Sequence, residues 1–98
     1  RQILSYIANN FQENIAIEDI ANYCFYSKSY FMKFFKETMG VSFIQYLNDY
    51  RLEIAAELLT TTTDNILDIA FATGFNNISY FNRCFKKKYG VSPRKYRF

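Results

Sequence analysis

Apolar residues recur along this chain every three or four positions, the period of an α-helix with one buried face. Ile3, Ile7 and Phe11, flanked by Leu4 and Tyr6, predict a first helix over residues 1–10. Ile17, Ile20, Ala21 and Cys24 give the face of a short second helix, Ile17 to Tyr23, after Ala16 or Asn14 as cap. Its Glu18 and Asp19 stand where a helix N-terminus favours negative charge. After a turn at Phe25 and Tyr26, Ser27 caps a third helix reaching about Met39, with Phe31, Phe34 and Phe35 inward. Gly40 ends it as a residue able to take positive φ. Ser42 opens the longest helix, Phe43 to about Leu59, with Leu47, Leu52, Ala55, Ala56, Leu58 and Leu59 apolar. A rod of that length spans about 25 Å. Outside it lie Asp49, Arg51, Glu53 and Glu57, and Arg51 is expected to brace the rod by an ion pair with its acidic neighbours. The run Thr60 to Thr63 is expected to stop it, because β-branched hydroxyl residues compete for the backbone. Asp64 or Asn65 then caps a fifth helix, Ile66 to Thr73, and Gly74 and Phe75 make the next turn. Asn76 or Asn77 caps a sixth, Ile78 to Tyr89, which Gly90 ends; Ser92 and Pro93 open a last short one. The class is all-α, with about seven helices.

The pattern is also repeated. SYFMKFFKETMGVSFIQY (Ser29 to Tyr46) and SYFNRCFKKKYGVSPRKY (Ser79 to Tyr96) align without a gap and agree at nine of eighteen positions. Upstream, IEDIANYC and ILDIAFAT share Ile, Asp, Ile and Ala. The duplicated unit is therefore a pair of short helices joined by a tight turn, a helix-turn-helix. The turn of the second copy is one residue longer. The expected division is a first subdomain over 1–41, a linker helix over 42–61 and a second subdomain over 62–98.

Composition narrows the class. Half of the 98 residues are apolar and a fifth aromatic, which disfavours disorder. With three Gly and one Pro, a turn-rich β architecture is disfavoured. No apolar run approaches a membrane span. There is no His, so Ser–His and Cys–His nucleophiles are excluded, and the two Cys and scattered carboxylates build no zinc spacing. No phosphate-cradling glycine loop appears. An enzyme is disfavoured, and no cofactor or metal is expected. Cys24 and Cys84 read as small core hydrophobes in a reducing compartment. The chain opens on Arg1 with a helical pattern already running, so a preceding segment is expected.

Charge then singles out the end of the chain. Residues 1–68 carry five basic and nine acidic groups, whereas residues 69–98 carry seven basic groups and no acidic one. That asymmetry suits a polyanion. On the third helix Ser29, Met32, Lys33 and Lys36 share a face opposite the phenylalanines; on the sixth, Ile78, Ser79, Asn82, Arg83 and Lys86 do. A helix fits the major groove of B-DNA, and its N-terminal half reaches base edges. Arg83 and Lys33 can donate to guanine, Asn82 can pair with adenine, and Met32 and Ile78 can meet thymine methyls. Lys36, Lys86 and Lys87 lie further along, where phosphates are the partners, and Ser27, Lys28, Asn76 and Asn77 stand at the helix starts, near the backbone. Taken singly, Lys36, Lys87 and Lys88 are equally well explained as solvated lysines. Lys33 and Arg83 are less so, since they occupy one site of a repeated unit. A helical protein-interaction module with a basic face is the alternative. RNA is disfavoured because a helix cannot enter the deep A-form major groove.

DIAFATGFNNISYFNRCFKKKYGVSPRKYR (Asp68 to Arg97) resembles the second helix-turn-helix of the AraC/XylS family of bacterial transcription regulators. Tyr50-Arg51-Leu52, Ala55 and Leu58-Leu59 fit the family's spacer, and Asp19-Ile20-Ala21 with Ser27 through Gly40 its first unit. The resemblance covers essentially the whole chain. It implies two helix-turn-helix subdomains on a linker helix, both recognition helices entering successive major grooves on one side of the duplex. It maps base contacts onto Ser29, Met32 and Lys33 and onto Ile78, Ser79, Asn82 and Arg83. Met32 and Ile78 are apolar where relatives often place hydrogen-bonding groups, so the first unit is expected to read sequence loosely. The implied role is regulation of bacterial transcription, activation foremost, by a cytoplasmic protein. Its implied partners are double-stranded DNA, RNA polymerase and an N-terminal sensor or dimerisation domain outside these residues.

Overall fold

The computed structural model describes residues 2–98 and, within them, consists of seven helices with no strand. In chain order they are α1 Gln2–Asn10, α2 Ile17–Tyr23, α3 Lys28–Met39, α4 Phe43–Thr61, α5 Ile66–Ala72, α6 Ile78–Tyr89 and α7 Pro93–Arg97. Two helix-turn-helix subdomains, α2–α3 and α5–α6, are joined by the long helix α4. The chain clusters into two compact units that divide within α4, between Leu47 and Asn48. No helix is long and apolar enough to cross a membrane among the described residues.

The first unit closes on Ile7, Phe11, Ile20, Ala21, Phe31, Phe35, Phe43 and Leu47, all buried. The Phe43 ring meets Phe31 at 5.4 Å and Phe35 at 5.5 Å, edge to face in both cases. Edge-on contact brings a ring's positive rim to its neighbour's negative face. In the second unit Leu52, Ala55, Ala56 and Leu59 of α4 pack with Ile69, Ala70, Phe75, Phe81 and Phe85. The repeat is visible in the rings. Phe31–Phe35 and Phe81–Phe85 are spaced 5.9 and 5.8 Å. Phe35–Tyr46 and Phe85–Tyr96 are both edge-on, at 5.6 and 5.3 Å.

The helix ends follow local chemistry. Ser27, Asn77 and Ser92 accept backbone N–H bonds from Tyr30, Tyr80 and Lys95, so Asn77, not Asn76, is the cap of α6. Asn65 accepts from the Asp68 amide and caps α5. Ala16 precedes α2 with no side-chain cap. Gly40 and Gly90 end α3 and α6 with φ of 82° and 81°, a left-handed turn that glycine enters without steric cost.

Several expectations are corrected. α4 ends inside the threonine run, as expected, but at Thr61 rather than about Leu59, because the hydroxyls bond back into the helix. Thr61 Oγ1 donates to the Glu57 carbonyl at 2.8 Å, and Thr62 Oγ1 to that of Leu58 at 2.7 Å. Back-bonding satisfies the hydroxyl without breaking the helix, and α4 continues to Thr61. Phe34 is half-buried rather than core; it stacks on Tyr30 at 6.0 Å and meets Tyr26 edge-on at 5.5 Å. Cys24 and Cys84 are free thiols and only half-buried. Cys24 lies at the C-cap of α2, and burial pushes its thiol up. Asp49 and Glu53 both reach Lys88, at 3.9 and 3.6 Å. Arg51 is buried, its guanidinium 6.0 Å from the centre of the Phe75 ring, and burial lowers its pKa. α5 ends at Ala72, and Thr73 follows fully buried, its hydroxyl donating to the carbonyls of Ile69 and Ala70.

Candidate nucleic-acid interface

Each subdomain buries one phenylalanine pair, and that burial fixes what the other side of its second helix presents. On α3, with Phe31 and Phe35 buried, Ser29, Met32, Lys33 and Lys36 are exposed one and two turns along. On α6, with Phe81 and Phe85 buried, Ser79, Asn82, Arg83, Lys86 and Lys87 are exposed. Ser27, Lys28, Asn76 and Asn77 are exposed at the helix starts. Ile78 departs from the expected stripe. It is half-buried and packs against the core of the second unit, as an apolar side chain in the first turn of a helix can.

The candidate residues are held differently. Lys28 is engaged within its own subdomain, 3.2 Å from Glu18 across the turn. The Glu18 carboxyl is held below its usual range by its own amide at the start of α2 and then by Lys28. Arg83 lies over the ring of Tyr80, 5.5 Å from its centre. The Tyr80 hydroxyl in turn accepts a bond from Nδ2 of Asn48 on α4, at 2.8 Å. An open groove of about 660 Å³ runs along α3, lined by Ser29, Met32, Lys33 and Lys36 together with Ile17 and Ile44. Ile44 was missed in the sequence reading, although the repeat carried the signal: it aligns with Arg94, beside the same kind of stripe.

Two cations of the basic tail have partners within their own unit. Arg97 donates from Nε to the Leu59 carbonyl at 2.9 Å and from a terminal nitrogen to that of Thr62 at 3.2 Å. It thus satisfies carbonyls at the C-terminal end of α4, where a cation also opposes the helix dipole. Lys88 is taken by Asp49 and Glu53. Arg83, Lys86, Lys87, Arg94 and Lys95 are exposed, as is Lys88. Among the described residues, no three His, Cys, Asp or Glu side chains group to hold a metal ion.

A family described as a helix-turn-helix domain matches residues 20–98. A solved transcriptional regulator from Chromobacterium violaceum, described as containing an AraC-type DNA-binding domain, superposes with a TM-score of 0.88 at 28% identity. The match covers 97% of this chain and 85% of that one. The chain belongs to the AraC/XylS family. The C-terminal domain of AraT, a response regulator from Geobacillus stearothermophilus, agrees with this AraC/XylS domain more closely still, with a TM-score of 0.93 at 38% identity over 99% of this chain and 81% of that one. The regulatory protein PocR of Salmonella typhimurium is 35% identical over 99% of this chain. The chain spans 32% of the length of PocR, and 13% of the staphylococcal regulators it also matches.

Proposed function

We propose that this AraC/XylS domain binds double-stranded DNA sequence-specifically, α3 and α6 entering successive major grooves, and so regulates bacterial transcription, as an activator that engages RNA polymerase. The parent protein carries a further domain for sensing or dimerisation. One observation carries the reading: a duplicated helix-turn-helix buries the same aromatic pair twice and leaves, opposite it, two exposed polar faces on the equivalent helix. Ser29, Met32 and Lys33, with Ser79, Asn82, Arg83 and the exposed part of Ile78, meet base edges. Ser27, Lys36, Asn76, Asn77, Lys86 and Lys87 meet phosphates, and Lys28 does so on leaving Glu18.

The test is selection of duplexes from a random pool, followed by footprinting on the selected site. Two protected major-groove segments about 10 base pairs apart are expected. A single protected segment would remove one recognition helix from the reading. The absence of any shift on duplex DNA at low salt would favour the protein-interaction module.

A further inference from the structure

We propose that Tyr80 and Asn48 are positioning residues that aim Arg83 at its base. The proposal rests on the assignment of Arg83 to base readout. An exposed arginine samples many rotamers, and ordering it on binding costs affinity and blurs geometry. Arg83 is not left to do so. Its guanidinium lies on the Tyr80 ring at 5.5 Å, a cation–π arrangement that favours one side-chain direction. Tyr80 is itself 38% exposed and would be mobile without further support. It has two supports. Its hydroxyl takes the 2.8 Å bond from Asn48, and its ring leans on buried Phe75 at 6.2 Å. Phase by phase the restraint passes from α4 and the core to the ring, and from the ring to the guanidinium.

The first unit lacks this device. Tyr30, the counterpart of Tyr80, keeps an edge-on contact with Tyr26, the counterpart of Phe75, but also stacks on Phe34. Phe34 aligns with Cys84, too small to hold a ring in that way. Cation–ring contacts among the described residues involve Arg51, Arg83 and Lys88, not Lys33. Preorganised readout is thus confined to α6.

The experiment measures affinity of the 98-residue chain for its selected duplex and for each single base-pair change in it. Arg83→Ala first marks the position Arg83 reads. Asn48→Ala, Tyr80→Phe and Tyr80→Leu should then lower discrimination at that same position by about three- to tenfold, with affinity for unrelated duplex unchanged. Tyr80→Phe keeps the ring and loses the Asn48 bond, so it should match Asn48→Ala; Tyr80→Leu should be worst. Placed on Arg83→Ala, none should add a further loss there. In the free domain, the Arg83 Nε–H resonance should lose its ring-current shift in Tyr80→Leu. If Tyr80→Leu unfolds, the two milder variants decide. Losses spread evenly over all positions, or additive with Arg83→Ala, would overturn the positioning role. If Arg83→Ala marks a position and the other variants leave it sharp, the positioning role alone falls. If Arg83→Ala marks none, the base-reading assignment falls and takes this one with it.

Discussion

The two helix-turn-helix copies share a core and differ at their surfaces. Their turns open on the same two backbone hydrogen bonds. Phe25 N–H bonds to the Asn22 carbonyl and Tyr26 N–H to that of Ala21; Gly74 and Phe75 repeat this with Phe71 and Ala70. The left-handed position of that turn holds Gly74 with φ 103° in the second copy and Phe25 with φ 61° in the first. Phe25 is 96% exposed there, while the next residue, Tyr26, is half-buried where Phe75 is buried. The stripes diverge as well. Met32 and Ile44 leave 46% and 45% of their surface exposed where the second copy has Asn82 and Arg94. Up to Leu47 the chain has four basic and four acidic residues; from Asn48 it has eight and five. Core positions are held by packing, which tolerates little change in volume. Surface positions are free to specialise. The second copy holds the net charge and an arginine lying over a tyrosine ring, and the first offers an apolar groove with two lysines.

The sharpest way to break the shared-core half of this comparison is to cut one phenylalanine from each copy. Phe31 and Phe81 are both fully buried, so Phe31→Ala and Phe81→Ala should each cost about 3–5 kcal/mol. Urea denaturation measures this; a small loss in one copy alone would mean the two cores are not equivalent. The divergent half is tested by binding. Arg83→Ala should weaken the selected site by about 1–3 kcal/mol and relax one base position, with Lys33→Ala costing less because no ring holds that lysine. Salt dependence gives a further contrast. Removing Lys86 and Lys87 together should flatten the slope of log affinity against log salt by about 2, and removing Lys36 by about 1. Unaltered site affinity in both Arg83→Ala and Lys33→Ala would dismiss the stripe assignment.

Most of the fold was legible because its signals are local. Period, caps and glycines place every helix to within two residues, and the repeat identifies Phe31, Phe35, Phe81 and Phe85 as core. What was not legible depends on contacts distant in sequence. Arg97 reaching α4, Lys88 taking both carboxylates, and Asn48 holding Tyr80 join residues more than thirty positions apart. The threonine run marks where α4 ends but not its last residue, for a different reason. Its hydroxyls can either leave the helix or bond back into it, and propensity does not choose between them. Ile78 shows the limit of a stripe drawn by spacing, since a helix's first turn also packs against what precedes it.

The turn offers the next test in order of size. A non-glycine residue pays about 1–2 kcal/mol in the left-handed region, and glycine pays back about 0.5–1 kcal/mol in chain entropy. Phe25→Gly should therefore stabilise the first copy by about 0.5–1 kcal/mol. Gly74→Ala should destabilise the second by about 1 kcal/mol. Opposite shifts in Tm from these two changes would show that the turns are one structure filled by different residues. A loss of stability in Phe25→Gly would mean that the exposed ring makes contacts its surface position does not suggest.

The smallest expected effect concerns Glu18, and it too sets the copies apart. Glu18 meets Lys28 across the first turn, whereas its counterpart in the second copy is Leu67, which has no charge. The Glu18 carboxyl titrates below its ordinary value, through its own amide and Lys28. A depressed folded value means the ionised group stabilises the folded chain. That contribution is complete above the ordinary glutamate value of about 4.3, and is lost as pH falls through the folded value. The pair is exposed, so salt should screen it. Glu18→Gln should lower Tm slightly at neutral pH and low salt, and not at all well below pH 4.3. Freed from Glu18, Lys28 should then be available to phosphate, so the same variant should bind DNA slightly more tightly at low salt. Weaker binding would instead make the ion pair part of the docking surface, with Glu18 holding Lys28 in place for the backbone.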